Sequence, residues 1–254
     1  MRRAGPSTPA SATAIAAQLR VVDAERQRRS EVPGLAARVT ALKAFQQRRF
    51  SHTYADLLAS ARYGAAARYF LAELYGPGDF TTRDAQFARV APAIARVFPD
   101  QVAETVAILA ELHALSETLD TATALHLPDV TIAPIDYVQA WQLTGRASER
   151  EQQIELTLRI AAHLDRITRM PMLRNALRLM RAPARAAGLS ELQRTLETGF
   201  DVFRAMKGAQ EFIAVIDSRE RALADALFAA RLDDDGSSMV RALASLAPTT
   251  SDRG

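Results

Sequence analysis

Residues 100 to 120 read DQVAETVAILAELHALSETLD, and this stretch decides the class of the fold. Val102, Val106, Leu109, Leu112, Leu115 and Leu119 recur at intervals of 3 and 4, the period of one helical face. No glycine or proline interrupts the run, Asp100 stands where a cap is wanted, and Leu127-Pro128 marks its end. Upstream, Phe87, Val90, Ile94, Val97 and Phe98 repeat the pattern, with Pro92 predicting a kink or break near Arg89. Leu35, Val39, Leu42 and Phe45 predict a helix after the Pro33-Gly34 break. A short helix near Tyr54–Ser60 and a run from Arg62 to Tyr75 follow, and a polar helix precedes the break, ending at about Arg29. Residues 1–12, rich in proline and serine, read as a disordered lead.

Downstream, Tyr137, Val138 and Trp141 lie on a helix that Gly145 ends in the left-handed manner. Ser148-x-x-Glu151 and Ser190-x-x-Gln193 match the capping box and open helices carrying Ile154, Leu158 and Leu164, and Leu192, Leu196, Phe200 and Phe203. Pro171 and Pro183 bracket a short helix, and Gly208 divides the last long run. No stretch alternates as a strand would. The expectation is an all-α chain, a single multi-helix bundle of about nine helices. Its parts are a basic, partly disordered N-terminal arm over 1–30, the bundle over 31–230 and a flexible tail over 231–254.

The charge is uneven. The first 50 residues hold ten basic side chains against Asp23, Glu25 and Glu31, a net +7 that leaves −4 for the remainder of a chain whose total is +3. Only Lys43 and Lys207 are lysines, so the basicity is one of arginine usage more than of phosphate binding. The arm lacks the interleaved aromatics of single-strand binders and the apolar face of an interfacial helix, so it reads as a solvated helix and nucleic acid is not favoured. No run reaches the ~20 apolar residues of a membrane span. With no cysteine there is no disulfide framework or thiolate metal site, and a reducing cytoplasm is the simplest home.

Nine of the 16 aromatic residues fall between Phe50 and Phe98, around YFLAELYGPGDFTTRDAQF, residues 69–87. Gly76-Pro77-Gly78 predicts a turn between two helices, with Thr81-x-x-Asp84 as the cap of the second and Phe80 packing back on its first turn. Packing is the weightier reading of these aromatics. The functional one makes Tyr69, Tyr75, Phe80, Arg83 and Asp84 a pocket rim or partner surface, with an aromatic floor and a few placed polar groups. This run, together with LAELHALSETLD and LRLMRAPARAAGLSELQRTLETGFDVFRAMKGAQEF further on, resembles a bacterial family of all-helical proteins carrying a domain of unknown function. The resemblance covers residues 45–228. It implies a shared helical fold and supplies no activity, cofactor or site residue.

The search for chemistry returns mostly exclusions. None of His52, His113, His126 and His163 has a glutamate three residues before it, so a di-iron bundle site is absent. No phosphate loop, nucleophile elbow or His-Glu-x-x-His occurs. One constellation remains: His113, Glu117 and Asp120 share a helical stripe at i, i+4 and i+7, where a carboxylate can orient a histidine for proton transfer or metal binding. A boundary stripe with a local His–Glu hydrogen bond is the plainer reading. The expectation for function is therefore a non-catalytic binding or interaction module, with a regulatory role open and no cofactor or metal expected. Its partner is an unknown protein or small molecule, and self-association stays open. The alternative is a haem- or metal-dependent helical protein using His113 or His163.

Overall fold

In the computed structural model the described residues are 9–73, 86, 87, 89, 90 and 100–231. They form α1 (Pro9–Glu31), α2 (Leu35–Thr53), α3 (Ala55–Ala59), α4 (Gly64–Glu73), α5 (Asp100–Leu125) and α6 (Pro134–Thr144). The second half adds α7 (Ala147–Ile167), α8 (Pro171–Leu179), α9 (Arg181–Ala186), α10 (Ser190–Ala205) and α11 (Gln210–Ala229). Among the described residues there is no strand, and nine of these helices have nine residues or more. The all-α bundle expected from the periodicity is what forms. The Gly-Pro-Gly turn, the Thr81–Asp84 cap and the Pro92 kink lie outside the described residues, as does the tail from residue 232.

Local chemistry accounts for the boundaries. Gly145 takes φ 66° at the end of α6, a conformation that costs a residue with a Cβ more than glycine. Lys207 and Gly208, at φ 53° and 122°, break the run between α10 and α11. Pro134 occupies the first turn of α6, where a missing N–H costs nothing, and Asp136 accepts the Ala133 N–H at 3.0 Å. The two expected capping boxes differ: α7 begins one residue before Ser148, Ser190 is the first residue of α10, and neither helix carries a side-chain cap hydrogen bond. Gln193 is drawn elsewhere. It donates to the Leu177 carbonyl at 2.6 Å, one of the orphan acceptors at the end of α8.

α5 is the central helix. Its alanines Ala103 and Ala110 admit α1 closely, against Ile15 and Leu19, while Ile108 on another side meets Leu156 and Ile160 of α7. A helix apolar on several faces is one that is buried, which a single-stripe reading of α5 understates. Two larger cores flank it. One joins Leu35, Val39, Leu42 and Phe45 of α2 to Tyr137, Val138 and Trp141 of α6 and Leu227 of α11. The other joins Phe50, Tyr54, Tyr63 and Phe70 to Phe203 of α10 and Phe212 and Ile216 of α11. Composition makes α1 a solvated helix, but Ile15, Leu19, Val22 and Arg29 form a buried stripe at spacings of 4, 3 and 7.

Candidate functional site

The stripe on α5 points inward. Glu117 is 5% exposed and Asp120 6%, because α1 and α2 cover that side of the helix, while His113 is half-buried one turn earlier. Arg29 of α1 forms an ion pair with Glu117, donates from Nη2 to the Glu117 carbonyl at 2.7 Å and from Nε to Thr121 Oγ1 at 2.8 Å. Lys43 of α2 donates to Glu117 Oε1 at 2.6 Å and stands 3.9 Å from Asp120 Oδ2. Gln46 completes the group, donating to Asp120 Oδ1 at 3.3 Å.

The two carboxylates titrate in opposite senses. Burial pushes the Glu117 carboxyl up, but Lys43 and Arg29 outweigh it and hold it at about 2. Asp120 is raised above the ordinary carboxylate value: burial dominates, and Glu117 beside it adds to the rise while the more distant Lys43 offsets part of it. A carboxylate clamped by two cations is a poor general base at neutral pH, since its basicity lies far below the working range.

A second buried polar group joins α2 to α11. Arg49 of α2 donates to Glu220 Oε1 of α11 at 2.6 Å, and the Tyr54 hydroxyl donates to the same oxygen at 2.7 Å. Burial opposes charge on Arg49, yet Glu220 leads the contributions that raise its pKa above the ordinary value. Arg150 of α7 donates to Thr123 Oγ1 at 2.7 Å and lies 4.0 Å from the centre of the Trp141 ring, a cation–π contact.

Tyr69 belongs to a different neighbourhood. It is half-buried, and its hydroxyl donates to the Thr195 carbonyl at 3.1 Å across α10. The ring lies against Gly199, where an added Cβ would come within 2.6 Å of the hydroxyl oxygen. Tyr69 thus sits against α10, whereas Glu117 and Asp120 face α1 and α2. Tyr75, Phe80, Arg83 and Asp84 lie outside the described residues.

His163 is buried on α7, with Nδ1 3.2 Å from Thr105 Oγ1 and Nε2 3.8 Å from Glu104 Oε1. Burial pushes its pKa down, against a smaller pull from Glu104. Among the described residues no cluster of three or more histidine, aspartate and glutamate side chains is arranged to hold a metal ion. Two cavities among them measure about 10 Å³ each, one bounded by Phe50, Phe70 and Ile216, the other by Arg178, Arg181 and Phe200. Such a volume holds about one water, against the roughly 300 Å³ of a small-molecule site. No described helix is long and apolar enough to cross a membrane.

The cations that complete these clusters were harder to find than the carboxylates. Arg49 carried a signal: it continues the Leu42–Phe45 stripe at i+7 and i+4, so the helix pattern puts a guanidinium in the core. Arg29 carried a similar one, seven residues after Val22.

The chain matches the family model described as Domain of unknown function (DUF8198) over residues 25–234. It belongs to that family. The match reaches upstream of the quoted segments and takes in the last two turns of α1, from residue 25, including Arg29. Neither the curated proteins nor the solved structures give a match.

Proposed function

We propose that this family member is a non-catalytic helical interaction module that works through its outer surface. The observation that carries the reading is Glu117. This carboxylate, which could have oriented His113 for proton transfer, is engaged instead by Arg29 and Lys43 from two other helices, as a carboxylate that joins the bundle would be. Support also comes from the outer face. Large apolar side chains stand in solvent at Leu143, Met172 and Leu179, where a partner gains most from covering them.

Native mass spectrometry with an absorbance scan, on untagged protein purified from a bacterial host, tests the reading. The expected result is the bare mass of 27.7 kDa or a multiple of it, with no visible band. Co-purifying extra mass, or a Soret band lost on His113→Ala or His163→Ala, would overturn it in favour of a haem or metal protein.

A further inference from the structure

α8 divides cleanly around its circumference. At 100° per residue, Met172, Leu173, Ala176, Leu177, Leu179 and Met180 fall on one arc, and Arg174, Asn175, Arg178 and Arg181 on the other. Only part of the apolar arc is covered. Leu173 and Leu177 are half-buried on the side of α10, whereas Met172 is 84% and Leu179 79% exposed. These two side chains are seven residues apart on one face, about 10 Å along the axis.

The surroundings are strongly basic. From residue 166 to residue 190 there are six arginines (Arg166, Arg169, Arg174, Arg178, Arg181, Arg185) and no aspartate or glutamate. The acidic groups nearby belong to other segments and pair with only some of these. Asp165 takes Arg169 at 2.6 Å, Glu197 of α10 takes Arg181 at 2.7 Å, and Asp201 of α10 takes Arg174 at 3.1 Å. Arg166, Arg178 and Arg185 are exposed with no ion pair among the described residues. Glu191, at the start of α10, is followed three residues on by Arg194.

We infer that α8 and α9 form a peripheral docking surface for an anionic lipid bilayer. Met172 and Leu179 enter the boundary between headgroups and acyl chains, and Arg166, Arg178 and Arg185 meet the lipid phosphates around them. An apolar edge on a helix, set among six arginines that outnumber the nearby acids Asp165, Glu197 and Asp201, is the arrangement of an interfacial helix. A second copy is a worse fit, since the exposed Arg178 flanking the edge would face its own equivalent across a two-fold axis. The inference rests on the interaction-module reading and names the partner of that surface.

Flotation of the full chain with vesicles tests it, comparing phosphatidylcholine alone with a mixture of three parts phosphatidylcholine to one part phosphatidylglycerol. Binding to the anionic vesicles only is expected. It should fall about tenfold or more in Met172→Ser/Leu179→Ser and also in Arg178→Ala/Arg185→Ala, each with an unchanged melting curve. No flotation with anionic vesicles overturns the inference. So does flotation that survives the Ser pair, which would leave only a charge effect, or a dimer of the free protein that the Ser pair dissociates. A failed flotation with a bare native mass removes the lipid surface alone, whereas a co-purifying cofactor removes the module reading itself.

Discussion

Replacing Glu117 with glutamine tests the ionic interior directly. The substitution keeps shape and removes the charge that Arg29 and Lys43 share. Glu117 is held at about 2, against an ordinary value of 4.5. Because its folded value is depressed, the carboxylate stabilises the fold at pH above the unfolded value, and that contribution fades as pH falls through 4.5 toward 2. At 1.36 kcal/mol per unit, the shift corresponds to about 3 kcal/mol at pH 7. This agrees with the roughly 3–5 kcal/mol lost when one partner of a buried pair is removed. Lys43 lies 3.9 Å from Asp120 and can turn to it in the variant, which brings the expected loss to about 2–3 kcal/mol. Urea unfolding of both proteins at pH 7 and pH 3 gives the answer. The gap between them should shrink by about half at pH 3, where the wild-type carboxylate has begun to take up its proton. A gap below about 1 kcal/mol at pH 7, or one that does not change with pH, refutes the assignment of Glu117 as the structural anion of the interior.

Three further outcomes are expected. Gly199→Ala should destabilise by about 1–3 kcal/mol despite the better helix propensity of alanine, because its Cβ meets the Tyr69 ring; Tyr69→Ala should remove most of that penalty in a double-mutant cycle. Asp165→Ala should cost about 1–2 kcal/mol in thermal unfolding, since Asp165 accepts the Ala209 N–H at 3.1 Å at the start of α11 and also holds Arg169. The His163 ring should titrate below the ordinary histidine value when followed by NMR. As its folded pKa is lowered by burial, His163 should make the fold lose stability as pH falls below about 6.5, a loss that His163→Gln abolishes.

The helices were legible in the sequence because each is written in short-range spacing, and Gly145, Gly208 and the Pro33-Gly34 break punctuate them plainly. The inside of the site was not. Glu117 and Asp120 look alike on the stripe, and their opposite titration depends on Lys43 and Arg29, which lie 74 and 88 residues away along the chain. The capping boxes misled for a related reason: a Ser-x-x-Gln pattern is local, while Gln193 answers to a carbonyl on α8. Nor did the hairpin aromatics declare that Tyr69 needs a glycine opposite, at Gly199. The basic amphipathic run from residue 166 to residue 190 was readable in the letters alone, but its meaning depends on which half of the apolar arc α10 covers.

The Glu220 contacts also bear on how the chain is made. Arg49 and Tyr54 wait for a carboxylate 171 and 166 residues further on, and Tyr63 for Glu211, 148 residues on. During vectorial synthesis α2, α3 and α4 leave the ribosome long before α11 exists. At roughly 5–20 residues per second, their aromatic faces stay uncovered for about ten seconds or more. A nascent chain stopped short of residue 210 should therefore bind chaperones and resist compaction, and the last helix is the one whose arrival closes the fold.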